Sequence, residues 1–260
     1  MVGLKINLVE GVLMTDIFLD TASIKEIDKF LSWGIGTGVT TNQKIFLKEK
    51  GCNFEERAKK ILERVYPLPV SLEGPNNYDD LVETAKEYSG WSDKNYSIYN
   101  NIVIKVPMLG NGEGLKAVKT LSQIGIKTNV TACMTLNQAF LAASAGATYV
   151  SLFYNRMQDW KLEQIKDEDL PDISKEILAK QYACNTIIET MNMLRISDFD
   201  TELIVGSIRK PSDIEEILSC APDIITIPPG ILDEMPFNTK TESTLKEFDK
   251  AWQEFKKYEK

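Results

Sequence analysis

The chain has no histidine among its 260 residues. That excludes Ser-His-Asp and Cys-His triads and every histidine-based acid–base step. It also weighs against a zinc or non-haem iron centre, and no metal site is expected. Cysteine is scarce. Cys52, Cys133, Cys184 and Cys220 are far apart in sequence and form no CxxC pair, which reads as reduced thiols of a cytoplasmic protein. Cys133 lies near polar residues of interest but reads as a core or helix-start thiol. No basic cluster is longer than Lys256-Lys257 and the net charge is −8, so nucleic-acid binding has no electrostatic footprint. The acidity does not forbid an anionic substrate, because a few local cations can dominate one pocket. No apolar run approaches the roughly 20 residues of a membrane span. Asn7 and Glu10 break the apolar start, so no signal peptide is read there. No GxGxxG motif follows a strand, which removes support for a dinucleotide fold. No cofactor is expected.

What is present is a regular alternation. Hydrophobic residues make up 43% of the chain, enough for one large core. Strand-like segments occur at Asp16–Asp20, Gly36–Thr41, Pro69–Glu73, Asn101–Pro107, Ile126–Thr131, Thr148–Phe153, Glu202–Ser207 and Asp223–Pro228. Helical periodicity fills the gaps. Ile24, Ile27, Phe30 and Leu31 follow Ser23 as an N-cap, with Glu26 placed to complete a capping box. Leu115, Val118 and Leu121 repeat the spacing, as do Ile214, Ile217 and Leu218 behind Pro211 and Ser212. Eight βα units joined by short turns predict an α/β protein, a closed (β/α)8 TIM barrel forming a single domain over residues 16–242. Residues 1–15 read as an N-terminal extension, with Met14 just ahead of the first strand. Two connections are longer, Ser89–Asn100 and Tyr154–Asp172, and the second leads into a helical stretch over Ser174–Leu194. A last segment, residues 243–260, carries Leu245, Phe248, Trp252 and Phe255 at helical spacing, one apolar stripe.

Lys105 stands out. It sits in Asn101-Ile102-Val103-Ile104-Lys105-Val106-Pro107, a run that reads as a parallel strand buried on both faces. An unpaired buried ammonium is costly. Such a lysine either snorkels out at the strand end or lowers its pKa and becomes a nucleophile, a Schiff-base candidate. This segment alone leaves both readings open. In TIM barrels the chemistry lies at the carboxyl ends of the strands. Here those ends carry Asp20, Thr40-Thr41-Asn42, Glu73, Lys105, Asn129 with Thr131, Ser151, and Ser207 with Arg209. Each has a structural explanation by itself: Asp20 as a helix cap, Asn42 as a turn residue, Thr131 as an N-cap before Met134. Together, around a strand-borne lysine, they predict a site in which Asp20 and Glu73 face Lys105 as an acid–base pair.

Five segments make these residues recognisable: Phe18-Leu19-Asp20-Thr21-Ala22, Gly38-Val39-Thr40-Thr41-Asn42, Val103-Ile104-Lys105-Val106-Pro107, Ala145-Gly146-Ala147-Thr148-Tyr149-Val150-Ser151 and Gly206-Ser207-Ile208-Arg209. From about residue 16 onward they resemble the transaldolase family, in its short branch that also holds the fructose-6-phosphate aldolases. The resemblance implies that Lys105 is the Schiff-base lysine and that Asp20 takes the C4-hydroxyl proton as the C3–C4 bond breaks. It implies that Glu73, with Thr131 and a water, shuttles protons during dehydration of the carbinolamine. Asn42, Asn129 and Ser151 match positions that hold the hydroxyls of the dihydroxyacetone unit, and Thr40 and Phe153 belong with the substrate-binding residues. Arg156, Ser207 and Arg209 match the phosphate site, a task that suits the planar guanidinium fork. The substrates implied are sugar phosphates.

Within this branch, transaldolases resemble one another in a Glu at the end of strand three and a Phe after the strand-six Ser, where the aldolases have Gln and Tyr. Glu73 and Phe153 therefore favour transfer of dihydroxyacetone to an aldose phosphate over its release. The alternatives are a fructose-6-phosphate-aldolase-like enzyme, a variant acting on another anionic sugar, and a non-catalytic sugar-phosphate-binding barrel. The chain departs from the family in Gln43-Lys44, where Pro and a small residue usually follow Asn. Loss of that proline frees φ and restores an N–H. Leu152 replaces a common Pro, Tyr154-Asn155 precede Arg156, and the Tyr154–Asp172 connection is expected over the barrel mouth. Short-branch relatives pack their last helix on a neighbouring subunit, so a pentamer or decamer is expected, the alternative being a helix folded back on its own barrel.

Overall fold

In a computed structural model, residues 14–91 and 100–259 are described. Residues 1–13 and most of the Ser89–Asn100 connection lie outside that range. Eight parallel strands close on themselves in chain order: β1 (Asp16–Asp20), β2 (Gly38–Thr40), β3 (Val70–Glu73), β4 (Ile102–Pro107), β5 (Thr128–Cys133), β6 (Tyr149–Phe153), β7 (Glu202–Gly206) and β8 (Ile224–Ile227). Closure runs through β1 and β8, with Phe18 beside Thr226 and Leu19 beside Ile227. All eight expected strands are present, each within a few residues of its predicted span. The fold is a (β/α)8 barrel in one domain.

The strands separate two kinds of surface because successive side chains point to opposite faces. Outward-facing Leu19, Val39, Leu72, Ile104, Val150 and Val205 are fully buried against the helices. Each stabilises the fold by about 1.5–3 kcal/mol relative to exposure. Inward-facing Phe18, Val103, Tyr149, Ile204 and Ile224 form a second apolar cluster inside the barrel, where the rings of Phe18 and Tyr149 meet edge to face at 6.0 Å. Phe18 fits because its neighbour is Gly38, where a Cβ would lie 2.6 Å from the Phe18 ring. Two residues further along each strand the same face turns polar, with Asp20 above Phe18, Lys105 above Val103 and Ser151 above Tyr149. The barrel interior is therefore apolar below and polar above.

The helices start where the sequence supplies caps. Ser23 caps α1 (Ile24–Ser32), accepting from the Glu26 N–H. The expected capping box is not completed, because the Glu26 carboxylate accepts from the Thr21 hydroxyl instead. Asn42 caps the single-turn α2 (Gln43–Phe46), Asn53 caps α3 (Phe54–Val65) and Asn77 caps α4 (Tyr78–Ser89). α5 (Glu113–Gln123) follows, and Thr135, rather than Thr131, caps α6 (Leu136–Ser144). The Tyr154–Asp172 connection, expected over the mouth, is largely helical. It opens directly as α7 (Tyr154–Gln164), which packs on α8 (Asp172–Ile196) through Trp160 and Tyr182, their rings 5.3 Å apart. The polar sequence of α7 hides its periodicity, and only Tyr154, Asn155 and Met157 are buried along it.

α9 (Pro211–Leu218) and α10 (Pro229–Glu234) complete the ring before α11 (Thr239–Lys256). α11 begins earlier than Ser243, capped by Asn238, and buries none of its residues. Leu245, Phe248, Trp252 and Phe255 are 51%, 64%, 53% and 53% exposed. The stripe is therefore not folded back on its own barrel. Among the described residues no helix is long and apolar enough to cross a membrane.

Candidate active site

Lys105 and Glu73 stand side by side in register on β4 and β3, and Asn129 flanks Lys105 on β5. Lys105 is 6% exposed, and its Nζ donates to the Thr41 carbonyl at 2.9 Å. It does not snorkel. Burial holds its amine below the ordinary lysine pKa, although Asp20 and Glu73 pull the other way. Burial also raises the carboxyls of Asp20 and Glu73, and Lys105 opposes both shifts. Lys105 thus couples to each carboxyl, and burial moves all three groups toward neutrality. Asp20 is held by the Thr40 hydroxyl at 2.7 Å, and Thr40 in turn contacts the Thr226 hydroxyl.

A polar chain lies beside the lysine. Asn129 is fully buried, donates to Ser71 Oγ at 3.2 Å and accepts from Ser151 Oγ at 2.7 Å. Its amide is therefore fixed, as a group that orients a hydroxylated ligand must be. Thr131 sits at the end of β5 opposite Pro107, and the register with β6 shifts between Val130 and Cys133. Ala132, next to Thr131, has φ 62°, and Ser207 at the end of β7 has φ 64°. Left-handed backbone at non-glycine residues costs on the order of 1–3 kcal/mol and concentrates at functional sites. Asn42 uses its side-chain oxygen to cap α2, accepting from the Ile45 N–H at 3.0 Å, which leaves its amide nitrogen for a ligand. Phe153 closes β6 opposite Gly206.

The rim between β6 and β7 carries the cations. Arg156 is exposed on the first turn of α7, and Arg209 is exposed just past β7. Both lie close to Asp159, whose carboxyl is held below its usual range chiefly by the Arg209 hydrogen bond, with Arg156 adding attraction. Arg209 grips Asp159 with both arms of its fork, one at 2.8 Å. Asn155 ties the two elements together, donating to the Ser207 carbonyl at 2.8 Å and to Asp213 at 2.6 Å. Asp213 also accepts from the Arg209 and Lys210 N–H groups. The twelve sequence-predicted residues thus all lie on one end of the barrel, in two groups, the lysine centre and the Arg-bearing rim.

Sequence reasoning missed the supporting residues. Ser71 and Thr226 were legible in principle, since each falls two residues from an inward-facing strand position, Glu73 and Ile224. Asp159, Asn155 and Asp213 were not, because their partners come from other elements. Gln43 was noticed only as a departure; its amide, turned so that each atom faces a complementary partner, donates to Glu73 at 2.7 and 3.0 Å. The thiols sort themselves. Cys133 is buried, and its thiol is pushed up to about 12, so it is an inert core group. Cys184 and Cys220, distant in sequence, meet as hydrogen-bonding neighbours. Among the described residues, no cluster of acidic, His or Cys side chains is arranged to hold a metal.

The family pattern described as Transaldolase/Fructose-6-phosphate aldolase matches residues 17–260. The chain belongs to the transaldolase/fructose-6-phosphate aldolase family. Among its relatives is a "Probable transaldolase" of Kosmotoga olearia, 36% identical over 242 residues, covering 93% of this chain and 97% of that one. Proteins of the same designation from Petrotoga mobilis and Symbiobacterium thermophilum are 36% and 35% identical over 245 and 238 residues. They cover 94% and 91% of this chain, and 97% and 96% of their own lengths. Membership makes the chain an enzyme of aldolase-type chemistry, and barrels collect their chemistry at the carboxyl ends of the strands, the end that carries Lys105.

Proposed function

We propose that this enzyme is a Schiff-base transaldolase that moves a dihydroxyacetone unit from a ketose phosphate, such as fructose 6-phosphate or sedoheptulose 7-phosphate, to an aldose phosphate. The observation that carries the reading is Lys105, buried and lowered in pKa, with Asp20 and Glu73 coupled to it. In this mechanism the neutral Nζ adds to the C2 carbonyl and gives a carbinolamine. Glu73, whose carboxyl is raised by burial, donates a proton to the C2 hydroxyl, which leaves as water while the nitrogen lone pair forms the iminium. Asp20 removes the C4-hydroxyl proton. The C3–C4 bond breaks, its electrons pass into the iminium to give an enamine, and an aldose phosphate departs. The enamine then attacks the acceptor aldehyde, Asp20 returns the proton, and water releases the product from Lys105. Asn129 and Ser151 hold the three-carbon hydroxyls. Arg156, Arg209 and Ser207 receive the phosphate once Arg209 leaves Asp159.

Glu73 and Phe153 support transfer over release, since Phe has no hydroxyl to hydrate or protonate the enamine. The reading places the enzyme in carbohydrate metabolism of the cytoplasm, consistent with free cysteines. The exposed stripe on α11 supports a homo-oligomer in which this helix packs on a second copy, in five-fold rings or pairs of them; sedimentation as a monomer at micromolar concentration would contradict it.

The test is borohydride reduction in the presence of fructose 6-phosphate, followed by mass spectrometry, with both product channels assayed with and without an aldose phosphate acceptor. The expected result is one adduct on Lys105, absent in Lys105→Met, and turnover that requires the acceptor. Free dihydroxyacetone as the main product would favour the aldolase, and ligand binding without an adduct would overturn the mechanism.

A further inference from the structure

Gln43 is the first residue of α2, just past β2, and its side chain reaches Glu73 at the end of the neighbouring β3. Its Nε2 donates to both carboxylate oxygens, at 2.7 and 3.0 Å. Its backbone N–H donates to the same carboxylate. At the first turn of a helix that N–H has no intrahelical partner, so the carboxylate satisfies it. Three donors from one residue therefore converge on one side chain. A proline at this position would provide none of them.

We propose that Gln43 is a positioning residue that fixes the plane of the Glu73 carboxylate for proton transfer at Lys105. The inference rests on the reading of Glu73 as the acid–base group of imine formation. A Glu side chain turns readily about its last torsion, which is broad and roughly two-fold. Proton transfer requires one oxygen at hydrogen-bond reach of the carbinolamine hydroxyl. Glu73 has Lys105 as its β4 neighbour and α2 above it, and Gln43 is the α2 residue that holds it. The charged group that bears on Glu73 is Lys105, and the neutral donors are the amide and backbone N–H of Gln43. Burial favours the protonated acid, whereas the three donors favour the carboxylate. Gln43 thus opposes the effect of burial on Glu73, the group that in this reading gives its proton to the departing hydroxyl and takes one when the imine is hydrolysed.

The test compares Gln43→Met, which keeps length but removes the side-chain donor, with Gln43→Lys, which restores a donor. Gln43 is exposed, so neither change removes core packing. The readouts are the single-turnover rate of borohydride-trapped adduct with fructose 6-phosphate from about pH 5 to about pH 9, and the melting temperature. Loss of positioning predicts that Gln43→Met slows adduct formation about tenfold and moves the midpoint of its pH profile upward. Gln43→Lys should recover most of the rate, and all three proteins should melt alike. A pH profile of Gln43→Met that superimposes on the wild type overturns the proposal, as do equal losses in both variants accompanied by equal falls in melting temperature. A wild-type protein that forms no adduct would remove the reading of Lys105 and this inference with it. That outcome differs from an adduct that forms normally in every variant, which would leave the reading intact and remove only the role of Gln43.

Discussion

The two ends of the barrel hold carboxylates under opposite rules. At the mouth, Asp20 and Glu73 share space with Lys105. Burial raises both carboxyls, and the lysine pulls them back. At the floor, Glu202 at the start of β7 lies near Asp16 at the start of β1 and Asp223 just before β8. Burial again raises Glu202, but here Asp223 and Asp16 push it further, up to about 7, and only Lys127 opposes them. Asp223 is partly compensated, since it accepts from the Leu203 N–H at 2.8 Å and feels Arg195. Like charges at the floor make a group costly to ionise. Opposite charges at the mouth make a set of groups that can exchange protons. Between them lies the apolar layer of Phe18, Val103, Tyr149, Ile204 and Ile224, which separates the ends. The comparison teaches that a raised carboxyl alone does not mark a catalytic site. What distinguishes the mouth from the floor is a buried amine within the field of its carboxyls.

The sharpest way to break this contrast is to remove one carboxylate from the mouth. Asp20→Asn should lower turnover by about 10²–10⁴-fold, the range for loss of a positioned general base. It should leave the Lys105 adduct trappable, since the proposed mechanism has Asp20 act after the imine forms. Loss of adduct and turnover together would assign Asp20 to the earlier step. The rim offers an intermediate effect. Arg209→Ala should weaken phosphorylated donors by about 1.5–3 kcal/mol, the worth of a charge-assisted contact, while unphosphorylated dihydroxyacetone suffers less. Equal losses for both in steady-state kinetics would count against a phosphate role for Arg209.

The floor should respond in stability and not in rate. The folded protein holds Glu202 at about 7 against 4.5 for the free group, so the fold disfavours its charged form. That penalty is absent below about 4.5, grows as pH rises, and is complete above about 7. Glu202→Gln should therefore stabilise the protein at pH 8 and change little at pH 4. One pKa unit corresponds to about 1.4 kcal/mol, and partial solvent exposure reduces it, so a gain on the order of 1 kcal/mol is expected. Denaturant melts at the two pH values measure it, with turnover unchanged. A stabilisation equal at both would mean that charge is not the cause.

How legible each end was follows from the same physics. The strands were readable because runs such as Ile102–Pro107 are apolar on both faces, and Lys105 was readable because it interrupts one. Asp20, Glu73, Asn129 and Ser151 were readable because barrel chemistry collects at strand ends. The α7 helix was not, since the polar Tyr154–Gln164 sequence buries only a few side chains. Glu26 looked like a capping-box partner but found a nearer hydroxyl in Thr21. The Arg209–Asp159 and Gln43–Glu73 pairs join residues that no spacing rule connects. The charges of Asp16, Glu202 and Asp223 were visible, but their mutual repulsion depends on closure of β8 against β1.

The most direct test of the contrast is a titration of Lys105 itself. Lysine labelled with ¹³C at Cε can be followed by NMR across the alkaline range, with Lys105 assigned by its disappearance in Lys105→Met. Burial predicts a midpoint for Lys105 below the 10.5 of an ordinary lysine, and a further fall in Asp20→Asn, where one favourable charge is gone. Glu202→Gln should leave that midpoint where it is. A Lys105 that titrates together with the exposed lysines, at or above their midpoint, would contradict the account.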